Sequence, residues 1–132
     1  MATEPDPAPQ ATSTRRRVLV VDDNADMADI VVNLLSAVGY DARAAYGGRQ
    51  AIATVSQLEP FAVVMDIDMP GVDGHEAAKE IRRMAPGIKL LALTGGSSDA
   101  DRAAALDAGF DAFLVKSFAA GDIMQALDEL AR

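Results

Sequence analysis

The sequence predicts an α/β fold: a doubly wound, five-stranded parallel sheet with helices on both faces, in three layers. Three observations carry this expectation. Short unbroken apolar runs recur along the chain, and such runs read as strands buried on both faces. Each strand candidate is followed by a stretch of helical pattern. The connections are short and marked by Gly, Pro, Asp or Asn, the residues that break regular structure. Strand and helix in alternation imply a parallel sheet with right-handed crossovers. The order of the strands is not visible in this pattern.

Residues Met1 to Thr14 hold three prolines with Ala, Thr, Ser and Gln and no apolar period, so residues 1–14 are expected to be a disordered tail. The folded domain is expected over residues 15–132. Arg15-Arg16-Arg17 is the one basic cluster, read as a solvated lead-in to the first strand. That strand is Val18-Leu19-Val20-Val21, ending at Asp22-Asp23-Asn24. Met27, Ile30, Val31, Leu34, Leu35 and Val38 then lie on one helical face, closed by Gly39 as a C-terminal cap. Asp41 to Tyr46 is a weaker strand, and Arg49 to Leu58 a helix between Gly47-Gly48 and Pro60.

The third strand is the plainest. Phe61-Ala62-Val63-Val64-Met65 runs without interruption into Asp66, with Asp68 and the turn Pro70-Gly71 beyond. Asp73 and Glu76 stand at capping-box spacing at the start of a third helix, which reaches about Met84 and is stopped by Pro86-Gly87. Ile88 to Leu93 is the fourth strand, ending at Thr94-Gly95-Gly96. Ser98 and Asp101 repeat the capping spacing before an alanine-rich helix that ends at Gly109. Phe110 to Val115 is the fifth strand, followed by Lys116-Ser117. A last helix from about Ala119 carries Ile123, Leu127 and Leu130.

Bulk properties narrow the function. A chain of 132 residues, half of them hydrophobic, suits one domain with a real core. Without cysteine there is no disulfide framework and no thiolate chemistry, which fits a reducing compartment. No apolar run approaches the length that spans a bilayer, and there is no signal-type apolar segment. A cytoplasmic protein is expected. The net charge of −8 argues against nucleic acid and anionic membrane as partners.

The chemistry gathers at the carboxyl ends of the strands. In a parallel sheet these ends share one edge, where open α/β sheets bind ligands. The first strand delivers Asp22 and Asp23, the third Asp66, the fourth Thr94 and the fifth Lys116. Clustered carboxylates repel unless a hard cation shares them, and Mg²⁺ takes oxygen ligands while keeping several waters. Such a cation would shield an incoming phosphoryl group, whose transfer depends on positioning and electrostatics. A carboxylate can itself be the nucleophile. A lysine and a hydroxyl can hold phosphoryl oxygens. Each residue alone has a plainer explanation as a helix cap, a turn residue or a solvated lysine. Their coincidence at successive strand ends is what favours phosphoryl chemistry.

Four blocks in order and spacing make the chain similar to the receiver domain of two-component response regulators, from Arg16 to the C-terminus. They are Val20-Val21-Asp22-Asp23-Asn24, the segment from Val63 through Asp66, Asp68 and Pro70 to Gly74, Ala92-Leu93-Thr94-Gly95, and Gly109 to Lys116. The resemblance implies a flavodoxin-like sheet of order 2-1-3-4-5. It implies Asp66 as phosphoacceptor, taking phosphate from a histidine kinase or histidine phosphotransfer protein. It also implies Mg²⁺ bound directly by Asp23, through water by Asp22, by Asp66, and by the backbone carbonyl of Asp68. Thr94 and Phe113 resemble the switch pair, in which the hydroxyl turns to the phosphate and the ring moves inward. Lys116 would pair with the phosphoryl oxygens.

One position departs from the family pattern: Ser117 stands where a proline joined by a cis bond is usual. A cis bond before a non-proline residue costs roughly 3–4 kcal/mol, so a trans bond and a rebuilt loop are expected. Gly95-Gly96 should loosen the loop after Thr94, and Asp68 could influence an attacking water. His75, the single histidine, is read as a surface residue, and the methionines as core filling.

Rival functions remain open at this point. A phosphohydrolase of the haloacid dehalogenase type also uses Asp-x-Asp, but its nucleophile precedes its acidic pair, whereas here Asp22-Asp23 leads. A receiver ending at Arg132 is expected to stand alone. It could switch partner binding, act as phosphorelay intermediate or phosphate sink, or serve as an interaction module without phosphorylation. Its downstream target is unknown.

Overall fold

The computed structural model describes residues 16–67, 74–95, 98–115 and 120–131. Strand and helix alternate throughout: β1 (Arg17–Val21), α1 (Ala25–Ala37), β2 (Asp41–Ala45), α2 (Gly48–Leu58), β3 (Ala62–Asp66), α3 (Gly74–Met84), β4 (Lys89–Thr94), α4 (Asp99–Asp107), β5 (Ala112–Val115) and α5 (Ala120–Leu130). The strands form one parallel sheet in the order β2-β1-β3-β4-β5. This is the flavodoxin-like order that the family resemblance implies. The tail expected over residues 1–14, the residues Asp68, Asp73 and Gly96, and the segment holding Lys116 and Ser117 lie outside the described residues.

Alternation along the strands sends side chains to two separate cores. Leu19, Val63, Met65 and Leu90 face one side, packed on Val55 of α2, Ala77 and Ile81 of α3 and Ala105 of α4. Val18, Val20, Val64 and Leu91 face the other, packed on Val31 and Leu35 of α1 and Ile123 and Leu127 of α5. Each fully buried leucine or isoleucine is worth about 1.5–3 kcal/mol. The all-buried pattern of β3 is therefore the centre of the fold as well as its clearest sequence signal.

Several boundaries move by a residue or two from the expectation. Thr94 is the last residue of β4, and β5 begins at Ala112, with Phe110 buried in the turn before it. Ser98 caps α4 as expected: its hydroxyl accepts from Asp101 N–H at 3.1 Å and the Asp101 carboxylate accepts from Ser98 N–H at 3.2 Å. After α1, Gly39 takes φ +103°, and the N–H groups of Gly39 and Tyr40 donate to Ser36 O and Leu35 O. This left-handed termination favours glycine because a side chain there is strained.

Three expectations are corrected. The apolar face of α1 is wider than the surface it covers: Ala28, Val31 and Leu35 are buried, while Met27, Ile30, Leu34 and Val38 are 42%, 53%, 39% and 53% exposed. One face of a helix on a sheet contacts only a narrow arc, and small Ala28 brings that arc into contact. The second correction is His75, which is half-buried rather than on the surface. Its ring stands edge-on to Phe110 at 6.4 Å, and its Nε2 is enclosed with no hydrogen-bond partner among the described residues. The helix carrying it starts with Gly74 pressed on the end of β3, which draws the next residue inward. Third, among the described methionines Met65 fills the core, whereas Met27 is exposed.

The amino-terminal edge of the sheet is fastened by one side chain. Arg82 of α3 donates to Pro86 O at 2.8 Å, Ile88 O at 2.7 Å, Gly109 O at 2.7 Å and Asp111 Oδ2 at 2.8 Å. Asp111 Oδ2 also accepts from Leu90 N–H at 2.8 Å. The loops entering β4 and β5 are thereby joined to α3.

Candidate functional site

Strand register brings the acids together. Val21 pairs with Ala45 on one side and Met65 on the other. Asp22 and Asp66, the residues that follow, therefore end neighbouring strands. This is where the chain reverses direction across the sheet, running from β1 out to β2 and then back to β3, and such a crevice is the usual ligand site of an open α/β sheet. Asp66 pairs with Leu93, so Thr94 lies one residue further along the adjacent strand.

Asp22, Asp23 and Asp66 each present a carboxylate oxygen within 4.8 Å of the others. Asp22 and Asp66 are 4% and 1% exposed, while Asp23 is open to solvent. Two charges withdrawn from water beside a third are costly unless something positive shares them. An all-oxygen set with one accessible member suits a hard cation that keeps part of its water shell. The donor set thus fits Mg²⁺.

Local structure holds these groups in place. Asp22 N–H donates to Ala45 O at 3.1 Å, and Asp22 Oδ1 accepts from Asn24 N–H at 3.0 Å. Asn24 caps α1, its Oδ1 accepting from Met27 N–H at 3.2 Å. The sequence shows Asn24 as part of a motif; its capping role comes from the helix beginning directly after it. On the other side, Ile67 N–H donates to Leu93 O at 3.0 Å. A Cβ on Gly74 would lie 2.9 Å from Asp66 O and closer still to Ile67 Cα, so α3 can start here only with glycine. That close approach has no sequence signal beyond the glycine itself.

Thr94 is 3% exposed at the same edge. Phe113 is half-buried, pairs with Ala92 and packs on the core beneath α3 and α4. Alternation from Ala92 puts Thr94 on the same face of β4. Lys116 and Asp68 lie outside the described residues; Val115, the last residue of β5, pairs with Thr94. Beyond β2, the Tyr46 hydroxyl donates to Asp29 Oδ1 at 2.8 Å, and this hydrogen bond holds the phenol above its ordinary pKa. Sequence reading gave no sign of this link between the β2–α2 turn and α1.

Among the described residues, no helix is long and apolar enough to cross a membrane. Residues 18–128 match the response regulator receiver domain family. The chain is 36% identical over 116 residues to response regulator MprA of Mycolicibacterium vanbaalenii, an alignment covering 88% of this chain and 50% of that protein. It thus spans about half the length of the curated relatives it matches. Among solved structures it is similar to chemotaxis protein CheY4 of Vibrio cholerae, with TM-score 0.85 and 26% identity over 89% of this chain and 99% of that one. A CheY-like receiver domain protein from Methanospirillum hungatei gives TM-score 0.83 and 26% identity, covering 88% and 93%. Phosphorylation on aspartate, Mg²⁺ at an acidic pocket and interaction with histidine kinases are general features of this signalling family. The phosphohydrolase alternative falls with the match, and the chain belongs to the response regulator receiver domains of two-component systems.

Proposed function

We propose that Asp66 is the phosphoacceptor and that residues 15–132 work as a phosphorylation-driven switch of partner binding. The observation that carries this is the setting of Asp66: almost wholly buried, at the end of the central strand, within 4.8 Å of two further carboxylates. In the transfer, an Asp66 carboxylate oxygen forms a bond to phosphorus while the bond from phosphorus to the donor's imidazole nitrogen breaks. The imidazole leaves with its electron pair. Asp23 would hold Mg²⁺ directly, Asp22 through water and Asp68 through its backbone carbonyl. The cation supplies positive charge to the phosphoryl oxygens.

Thr94 and Lys116 are assigned to the phosphoryl oxygens once the group is attached, and Phe113 to the surface change that follows. The phosphoryl group can bias the domain only through contacts that differ between two arrangements. Burying Phe113 leaves no polar group unpaired, because the ring carries no hydroxyl. Met27, Ile30, Leu34 and Val38 form an exposed apolar ridge that starts one turn from Asn24. A phosphodonor protein reaching Asp66 has that ridge to rest on. A cytoplasmic location belongs to the same reading, since a chain without cysteine suits a reducing compartment, and action without contact to nucleic acid or membrane rests on the net charge of −8.

Incubation with a purified phosphohistidine kinase tests the proposal. Labelling should require Mg²⁺ and should disappear in Asp66→Asn. Full labelling of that variant would remove Asp66 from its role. Phosphate moving on to a histidine-bearing protein would favour a relay or sink over a binding switch.

A further inference from the structure

Phe113 has a charged neighbour besides the groups of the acid pocket. Its ring packs on the core beside small Ala92. Over the ring lies Arg102 of α4, its guanidinium carbon 5.2 Å from the ring centroid. That distance is within the range of an attractive cation–π contact. Asp99 and Asp101 share the helix, yet Arg102 forms no ion pair or side-chain hydrogen bond among the described residues. The aromatic face is therefore the described partner of this charge. α4 itself is lightly anchored, with Ala105 its single buried residue.

We infer that Arg102 is a positioning residue for Phe113: its guanidinium holds the ring in this half-buried position and so sets how hard the domain is to switch. This rests on the assignment of Phe113 as the aromatic that moves inward. A guanidinium keeps its charged end in water while its stem lies on apolar surface. It cannot follow the ring inward without losing that hydration, so inward movement breaks the contact. The outward arrangement is favoured by whatever the contact is worth. A ligand that binds the inward arrangement must overcome that bias, and its apparent affinity falls by the same factor. For a cation over a partly exposed ring this factor is about two- to five-fold.

Arg102→Met tests the charge separately from the packing, because methionine still covers the ring with an apolar stem. The full chain is labelled with fluorophenylalanine, and the Phe113 resonance is assigned by its loss in Phe113→Leu. Beryllium fluoride with Mg²⁺ serves as the phosphoryl mimic at Asp66. Arg102→Met should raise the inward population of Phe113 without ligand and lower the beryllium fluoride midpoint, each by about two- to five-fold. Arg102→Lys, which keeps a cation, should restore most of the wild-type behaviour. An unchanged midpoint and ring signal in Arg102→Met would overturn the inference, and so would Arg102→Lys behaving like Arg102→Met. A wild-type protein that responds to beryllium fluoride no more than Asp66→Asn does would instead overturn the phosphoacceptor assignment beneath it.

Discussion

At the amino-terminal edge of the sheet one guanidinium donates to four oxygens from two loops. At the carboxyl-terminal edge three carboxylates stand within 4.8 Å of one another. The same strands connect the two edges, so the difference does not come from the sheet. It comes from what the loops carry. Arg82 donates to three carbonyls and the Asp111 carboxylate, which is stabilising. Asp22, Asp23 and Asp66 are like charges held together, a grouping that favours a shared cation. A stabilising network lies at one end of the domain and the candidate site at the other.

Arg82→Ala should break that contrast most severely. It leaves Ile88 O, Gly109 O and Asp111 short of a donor, and urea denaturation should show a loss of about 3 kcal/mol. Labelling of Asp66 by a kinase should persist under conditions where the variant is folded. Mg²⁺ should sharpen the contrast from the other end. At a hundredfold excess over its Kd it should stabilise the protein by about 2.7 kcal/mol, measured as a rise in the urea midpoint. Asp23→Asn should lose most of that gain, and a full gain in the variant would exclude Asp23 as a ligand.

Smaller effects are expected where capping or exposed hydrogen bonds are altered. Ser98→Ala removes the cap of α4 and should cost about 1 kcal/mol, with Ser98→Asp retaining most of it. The smallest effect is at Tyr46. Its bond to Asp29 requires the phenolic proton, so any stabilisation is complete below the ordinary tyrosine value of about 10 and is lost as pH rises through the higher folded value. Tyr40 is also raised, chiefly by burial and then by Asp128. Absorbance of tyrosinate should therefore appear above pH 10, and Tyr46→Phe should remove one of two late-titrating groups.

Most of the architecture was legible because it rests on local patterns. The run Phe61–Met65, the cap at Ser98 and the glycine after α1 each state their structure within a few residues. The strand order did not follow from those patterns, since a crossover of either reach looks alike in sequence; it came from the family resemblance. The acids were legible as a group because a parallel sheet sends every strand end to one edge. What stayed hidden was contact between distant segments. Arg82 meets Gly109 and Asp111, and Arg102 meets Phe113, without any spacing that announces it. The apolar stripe of α1 misled in the opposite direction. Helical periodicity marks which residues share a face, and only packing decides how much of that face is covered.

The Arg82 attachment also has a consequence for motion. With the entrances of β4 and β5 joined to α3, a displacement of these strands should pivot about that end and grow towards Thr94 and the acids. Asp111 N–H, donating to Leu90 O at 2.7 Å, and Leu90 N–H, donating to Asp111 Oδ2 at 2.8 Å, sit at the pivot. Their hydrogen exchange should be slow and insensitive to phosphorylation. The amides of Leu114 and Val115, at the moving end of the same edge strand, should exchange faster and respond.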